Sequence, residues 1–173
     1  QRFPRAEIEQ GKRKIILKNF YNMPYITLSY LGEETKHADA KAFARLMKHL
    51  REFDEKEKTV LAIQVENETG VQGSAREHST LAEQLFAKTP PQGLMDYLEN
   101  HTEEMDASLK NVWKNQNARA ERKITPDSGQ DGMEICGKEK GWREVFGLAA
   151  DEIFSAYHIA SYVEYVAAAG KAE

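Results

Sequence analysis

An apolar run that ends in carboxylates sets the strongest constraint on how this chain can fold. Thr59 to Val65 is almost continuously apolar, which is typical of a strand covered on both faces, as in a parallel sheet. It follows a segment from Ala38 to Phe53 in which apolar residues recur at helical spacing on one face. Helix, short charged loop and buried strand are the order of an α/β fold, so the sequence predicts that class.

Further helical patterns follow the predicted strand. Thr80 and Glu83 have the spacing of a capping box, and the helical pattern resumes after Thr89 and extends to Trp113. A last helix is predicted from about Ala150 to Ala169, and it is expected to be buried because it is apolar almost all round.

Two segments depart from the helical pattern. Pro24 to Gly32 alternates apolar and polar residues, which predicts a short strand or hairpin. Residues 116–140 have neither the helical nor the strand period. A connection of that length inside a compact domain indicates a flexible surface insertion.

Composition excludes several classes of partner. The 173 residues are 40% hydrophobic and 30% charged, which is typical of one soluble globular domain or part of one. A net charge of −4 gives no basic surface for nucleic acid or anionic lipid, and no apolar run reaches membrane-spanning length. Cys136 is the only cysteine, so no internal disulfide can form.

The position of the acids directly after the apolar run favours a chemical role for them. In parallel α/β folds the carboxyl ends of the strands form a rim where chemistry collects, and Glu66 to Thr69 would lie on it. A carboxylic acid in a cleft loses hydration, which raises its pKa and lets it hold a proton near neutral pH. Glycoside hydrolysis needs such an acid, with a second carboxylate about 5 to 5.5 Å away if configuration is retained.

The spacing of these residues leaves two interpretations open. Strand alternation puts Glu66 and Glu68 on one face and Asn67 on the other, so Asn67 and Glu68 reach one site only if the strand end bends. Glu66 and Glu68 would stand side by side about 7 Å apart, so the second catalytic carboxylate must come from elsewhere. The alternative is a charged strand end exposed to solvent.

Several quoted runs resemble one enzyme family. "VLAIQVENETGVQGSAREHSTLAEQLF", "LMDYLENH", "GWREVFG" and "ADEIFSAYHIASYVE" are similar, in this order, to the bacterial branch of the β-galactosidase-like glycoside hydrolases of family 35. "QRFPRA" and "AFARLMKHLREFD" resemble the same branch. The V-E-N-E core is the most specific part of the match.

The resemblance implies a fold, a reaction and two site residues. Members of the family have a (β/α)₈ TIM barrel and hydrolyse terminal β-galactosides by a retaining double displacement. Glu68 would be the acid/base and Asn67 would bind the sugar, and neither a cofactor nor a metal is implied. The family also suggests a periplasmic or extracellular location, although the sequence itself leaves the compartment open.

The resemblance further predicts that residues 1–173 are a single partial catalytic-domain fragment, covering about the third and fourth βα units around one buried parallel strand. The chain begins with Gln1, which indicates that its natural start is missing or was removed. The nucleophilic glutamate of the family lies downstream, so the isolated chain is expected to be inactive. An alternative is a non-catalytic carbohydrate-binding or interaction module, in which exposed barrel edges would promote oligomers.

Other residues that could form a metal or sugar site have structural interpretations. His78 with Glu66 and Glu77 lacks the spacing of a zinc motif, so no metal site is predicted. Trp113 and Trp142 are expected in the core rather than stacked on sugar. The loop from Gly70 to Ser79 is the better candidate for substrate contact because it directly follows Glu68.

Overall fold

The computed structural model describes residues 5–10, 13–15, 27–113 and 140–173, and helices dominate these ranges. The helices are α1 (Glu33–Asp54), α2 (Thr80–Phe86), α3 (Gln92–Asn100), α4 (residues 107–113), α5 (Trp142–Phe146) and α6 (Ala150–Lys171). A 3₁₀ turn, Gly147–Ala149, joins the last two. Strands β1 (Ile8–Gln10) and β2 (Arg13–Ile15) form an antiparallel hairpin with Ile8 opposite Ile15.

The predicted parallel strand is wrong, and with it the partial (β/α)₈ TIM barrel. Residues 59–65 form no strand, and Leu61 is 92% exposed. In the described ranges the only paired strands are β1 and β2, which are antiparallel. An apolar run becomes a strand only where a neighbour supplies partners for its backbone N–H and C=O groups, and the described residues place no strand beside this run.

The chain divides into two compact units, and the first combines residues 1–82 with residues 155–173. Short backbone contacts tie its early residues together: Ala6 donates to Thr27 O at 2.9 Å, and Arg5 pairs with Leu28 in an isolated bridge. That bridge is the part of the strand predicted between Pro24 and Gly32 that the structure shows, since residues 24–26 lie outside the described ranges.

The interior of the first unit mixes apolar and polar side chains. Its buried apolar residues include Tyr30, Tyr162 and Val166. Its buried polar residues are Ser29, Thr35, Asp54, Arg76, Glu77, Ser79 and Ser155. Buried polar groups are costly unless they are hydrogen-bonded, and Ser29, Glu77 and Ser79 meet this need by bonding to one another.

The second unit, residues 83–154, has an aromatic core. The ring of Phe154 meets Phe86 and Trp142 edge to face, with centroids 5.3 Å and 5.1 Å apart. Phe146 lies beside both Trp142 and Trp113, which are 1% and 3% exposed. The expectation that both tryptophans belong to the core is therefore confirmed.

The helix predictions hold with local corrections. Helix α1 covers the predicted segment but begins five residues earlier, at Glu33. Helix α2 is capped by Ser79, whose Oγ accepts the Ala82 N–H at 3.2 Å, so the cap lies one residue before the predicted Thr80. The insertion predicted for residues 116–140 lies outside the described residues, apart from Lys140.

Helix α6 is buried along one stripe rather than all round. Phe154, Tyr162 and Val166 are buried, whereas Ala160 and Glu164 are exposed. The expectation of full burial was wrong because α6 presents its remaining faces to solvent in the described structure. None of the helices in the described ranges is long and apolar enough to cross a bilayer.

Candidate functional site

A cavity of about 640 Å³ lies in the first unit and contains both predicted site residues. Four stretches of chain supply its walls: the segment before α1, the first turns of α1, the segment after residue 65, and α6. The lining residues are Thr27, Leu28, Ser29, Tyr30, Thr35, Ala38, Asp39, Ala42, Glu66, Asn67, Glu68, Thr69, Gly70 and Tyr162.

A backbone bend brings three consecutive side chains to this cavity. Glu68 has a φ of 51°, in the left-handed region that a non-glycine residue seldom adopts. Strict alternation would have put Asn67 on the face opposite Glu66 and Glu68, yet all three line the same cavity. Because the backbone bends at Glu68, Asn67 and Glu68 can belong to one site.

Gly70 completes the bend. Its φ is 122°, and a Cβ at this position would come within 3.2 Å of Ile159 Cδ1 on α6. Glycine is favoured here because it tolerates this backbone conformation and permits the close approach of α6. The lack of a side chain at Gly70 therefore permits the bend to lie against α6.

The Asn67 amide is oriented by a neighbouring glutamine. Gln64 Nε2 donates to Asn67 Oδ1 at 3.0 Å and to the Glu66 carbonyl oxygen at 2.8 Å. Since Oδ1 accepts from Gln64, the Nδ2 group is the end of the Asn67 amide that can donate to a ligand oxygen. A sugar hydroxyl is a suitable acceptor for that group.

Glu66 belongs to a hydrogen-bonded chain that crosses the cavity wall. Tyr162 Oη donates to Asp39 Oδ2 at 2.8 Å, and the carboxyl group of Glu66 is hydrogen-bonded to Asp39. Burial first, then that hydrogen bond and the charge of Asp39, raise the pKa of Glu66 to about 7. Burial is also the main cause that raises the pKa of Tyr162, followed by its contact with Asp39.

Glu68 has different surroundings from Glu66. Its side chain is exposed, whereas Glu66 is half-buried. The two carboxyl groups thus lie on one cavity at different depths, with Glu68 nearer to solvent. A group that transfers protons to and from a substrate has to reach the reacting atoms, and the exposed position of Glu68 allows this.

A buried carboxyl group adjoins the cavity through Ser29, which lines it. Glu77 is fully buried, and its Oε1 accepts hydrogen bonds from Ser29 Oγ at 2.7 Å and Ser79 Oγ at 2.6 Å. Of the loop from Gly70 to Ser79, only Gly70 lines the cavity. Glu77 and Ser79 turn into the interior of the described structure, and contact of this loop with substrate stays a prediction.

Sequence reasoning missed two residues of the site. They are Asp39 and Tyr162, which both line the cavity with Glu66. They lie 123 positions apart, and no local motif links residues at that separation.

Within the described ranges, no group of three or more His, Cys, Asp or Glu side chains is placed to hold a metal ion.

Comparison with family models gave no match, and comparison with curated proteins gave none either. The resemblance to family 35 therefore stays a prediction from the quoted sequence runs. The lining residues of the cavity and their hydrogen bonds are independent of that resemblance.

Proposed function

We propose that this chain carries the proton-donating part of a retaining glycoside hydrolase site that acts on terminal β-galactosides. Glu68 is the acid/base in this proposal, and Asn67 binds a sugar hydroxyl. The observation that carries it is the bend at Glu68, which puts Asn67 and Glu68 on one cavity. The proposal concerns the site and requires no barrel in the described residues.

The size and lining of the cavity suit an uncharged sugar. A volume of about 640 Å³ lies within the range of small-molecule sites. Among the described residues that line it, Asp39, Glu66 and Glu68 are acids and none is Lys, Arg or His. Carboxylates accept hydrogen bonds from hydroxyl groups and repel anions, so a neutral polyhydroxyl ligand fits better than a phosphate or a sugar acid.

The proposed role of Glu68 follows from its exposure and its neighbour. Its carboxyl group faces solvent at the cavity, where it can give a proton to the glycosidic oxygen and later take one from water. Asn67, whose amide is held by Gln64, fixes the sugar beside it. Retention of configuration requires a second carboxylate as nucleophile, and the proposal assigns that role to no residue of the described ranges.

The proposal is tested by Glu68→Gln in the protein that contains this segment. Loss of an acid/base should lower turnover of alkyl galactosides, which are poor leaving groups, by about 10² to 10⁴. For a dinitrophenyl galactoside, the first step, in which the glycosidic bond is cleaved, should be slowed less, because that leaving group needs no proton. The measurement is kcat and kcat/KM for both substrates in the wild type and the variant.

A small anion and a matched variant serve as controls. Azide should restore turnover of the dinitrophenyl substrate in Glu68→Gln, because an anionic nucleophile attacks the intermediate without a general base. Glu57→Gln makes the same change at an exposed residue away from the cavity and should leave both rates unaltered. Unchanged turnover of alkyl galactosides in Glu68→Gln would contradict the assignment.

A second candidate function is carbohydrate binding without hydrolysis. The cavity that favours it is lined by residues of the first unit alone. Methyl β-galactoside should then bind the 173-residue chain in saturation-transfer NMR, and Asn67→Ala should weaken binding about threefold to tenfold by removing a hydrogen bond. Gln72→Ala, at an exposed residue that does not line the cavity, is the control. Equal binding by both variants would exclude a role for Asn67.

A further inference from the structure

We propose that Glu66, Asp39 and Tyr162 form a proton-dependent clamp that positions the bend carrying Asn67 and Glu68. The clamp is closed while Glu66 holds a proton and opens when that proton is lost. Its role in positioning an acid/base rests on the proposed function, but the clamp itself is a property of the fold and can be tested without any substrate.

The geometry of the clamp joins three parts of the chain. Asp39 lies on α1, Tyr162 lies on α6, and Glu66 lies at the start of the bend. Tyr162 Oη donates to Asp39 Oδ2 at 2.8 Å, and Glu66 is hydrogen-bonded to the same carboxyl group. The bend is thus linked to both helices through Asp39.

A hydrogen bond between two carboxyl groups requires one proton. Ionised carboxylates only accept hydrogen bonds, so Glu66 and Asp39 can bond directly only if one of them is protonated. Asp39 accepts from the Tyr162 hydroxyl, whereas burial and the contact with Asp39 raise the pKa of Glu66. Glu66 is therefore the donor, and its proton closes the clamp.

The surroundings of Glu66 determine what happens when that proton leaves. The titratable groups that line the cavity with it are Asp39 on α1, Tyr162 on α6, Tyr30 from the preceding segment and Glu68 on its own segment. None of these is a cation, so a negative charge on Glu66 would face Asp39 without compensation from the lining. Two carboxylates at hydrogen-bond distance repel each other, and the link between the bend and α1 is then lost.

The pH range of the change lies near neutrality. Burial and the contact with Asp39 raise the pKa of Glu66 to about 7, so the clamp is closed in mild acid and opens above neutral pH. Glu68 follows Glu66 by two residues, and the backbone turns at Glu68 itself. Release of Glu66 therefore frees the part of the backbone that orients Asn67 and Glu68.

The clamp is tested by NMR on the chain as it stands. Carboxyl ¹³C resonances are followed against pH, and the Glu66 resonance is identified by its loss in Glu66→Gln. We expect its midpoint near 7, well above an ordinary glutamate. We also expect the backbone order parameters of residues 66–70 to be about 0.85 at mildly acidic pH and to fall below about 0.6 at mildly alkaline pH.

Two variants separate positioning from mere structural support. The amide of Glu66→Gln donates to Asp39 at every pH, so residues 66–70 should stay ordered in alkali and the pH dependence should disappear. Tyr162→Phe keeps the ring but removes the donor to Asp39, and it should loosen the bend at mildly acidic pH, where the wild-type clamp is closed. Glu164→Gln, on an exposed face of α6, should behave as the wild type.

The outcomes that overturn the clamp are distinct from those that overturn the proposed function. A Glu66 midpoint in the range of an exposed glutamate, or loss of order in alkali that persists in Glu66→Gln, would show that no shared proton holds the bend. Neither result depends on hydrolysis. Failure of Glu68→Gln to lower turnover would remove the enzymatic role and leave the clamp intact.

Discussion

Glu77 is a buried carboxyl group whose two oxygens have different surroundings. Oε1 accepts from the hydroxyl groups of Ser29 and Ser79, while Oε2 is buried and has no hydrogen-bond partner among the described residues. Burial raises the pKa of Glu77, and the two serine hydrogen bonds only partly oppose this effect. A neutral carboxyl group is therefore favoured in the folded chain more than in the unfolded chain.

This difference predicts how stability depends on pH. Because the folded pKa of Glu77 lies above the unfolded value, its contribution is complete below about pH 4.5 and is lost as pH rises through the folded pKa. Gln at this position keeps an acceptor for both serines and cannot ionise. The variant's free energy of unfolding is compared with that of the wild type at each pH. From pH 4.5 to pH 8, this difference should rise in favour of Glu77→Gln by about 1 kcal/mol or more.

Urea unfolding at several pH values measures this gain. Glu66 also has a raised pKa, but it is present in both proteins and cancels in the comparison. Glu104→Gln, at an exposed residue, should show no such change in the difference from the wild type. If the curves for wild type and Glu77→Gln are parallel across this range, Glu77 is ionised in both states and the argument from burial is wrong.

At the scale of elements, helices α1 and α6 approach each other at a glycine. A Cβ on Gly170 would overlap the ring of Phe43 and come within 2.9 Å of Met47 Cγ. Ala favours a helix over Gly by about 1 kcal/mol, but overpacking costs about 1 to 3 kcal/mol. Gly170→Ala should therefore lower the free energy of unfolding, by up to about 2 kcal/mol.

Gly93 in α3 provides the matched control. A Cβ added there has no heavy atom within 4 Å, so Gly93→Ala adds helix propensity without a clash and should stabilise by up to about 1 kcal/mol. Both variants are compared by urea unfolding. Stabilisation of similar size in both would mean that α1 and α6 do not approach as closely as the structure describes.

The helices were predictable from sequence for a physical reason that does not extend to the strand. Residues three and four positions apart share a helix face, so the apolar pattern of α1 is contained in its own segment. A strand depends on hydrogen bonds with another segment, and residues 59–65 therefore looked like a strand that the described structure does not form. What this segment has instead is an anchor, because Asp54 accepts the N–H groups of Thr59 and Val60 at 3.0 Å and 2.8 Å.

At the scale of the whole molecule, the site lies within one of two compact units. Local sequence drew attention to the acids after the apolar run, and the family resemblance then singled out Asn67 and Glu68 among them. It could not identify Asp39 and Tyr162, since only the folded chain brings α1 and α6 to the same cavity. The assignment of Asn67 and Glu68 to catalysis stays a prediction, and the kinetics of Glu68→Gln decide it.

The long separation between the contacting residues has a consequence for how the site comes into being. The Tyr162–Asp39 hydrogen bond closes a loop of 123 positions, and the contact between Tyr30 and Ser155 closes one of 125. Contacts so distant along the chain are slow to form, because loop-closure entropy is lost before the contact compensates for it. During synthesis α1 emerges long before α6, so the cavity is among the last features to assemble. A newly made chain therefore exposes the α1 segment before it can form the pocket.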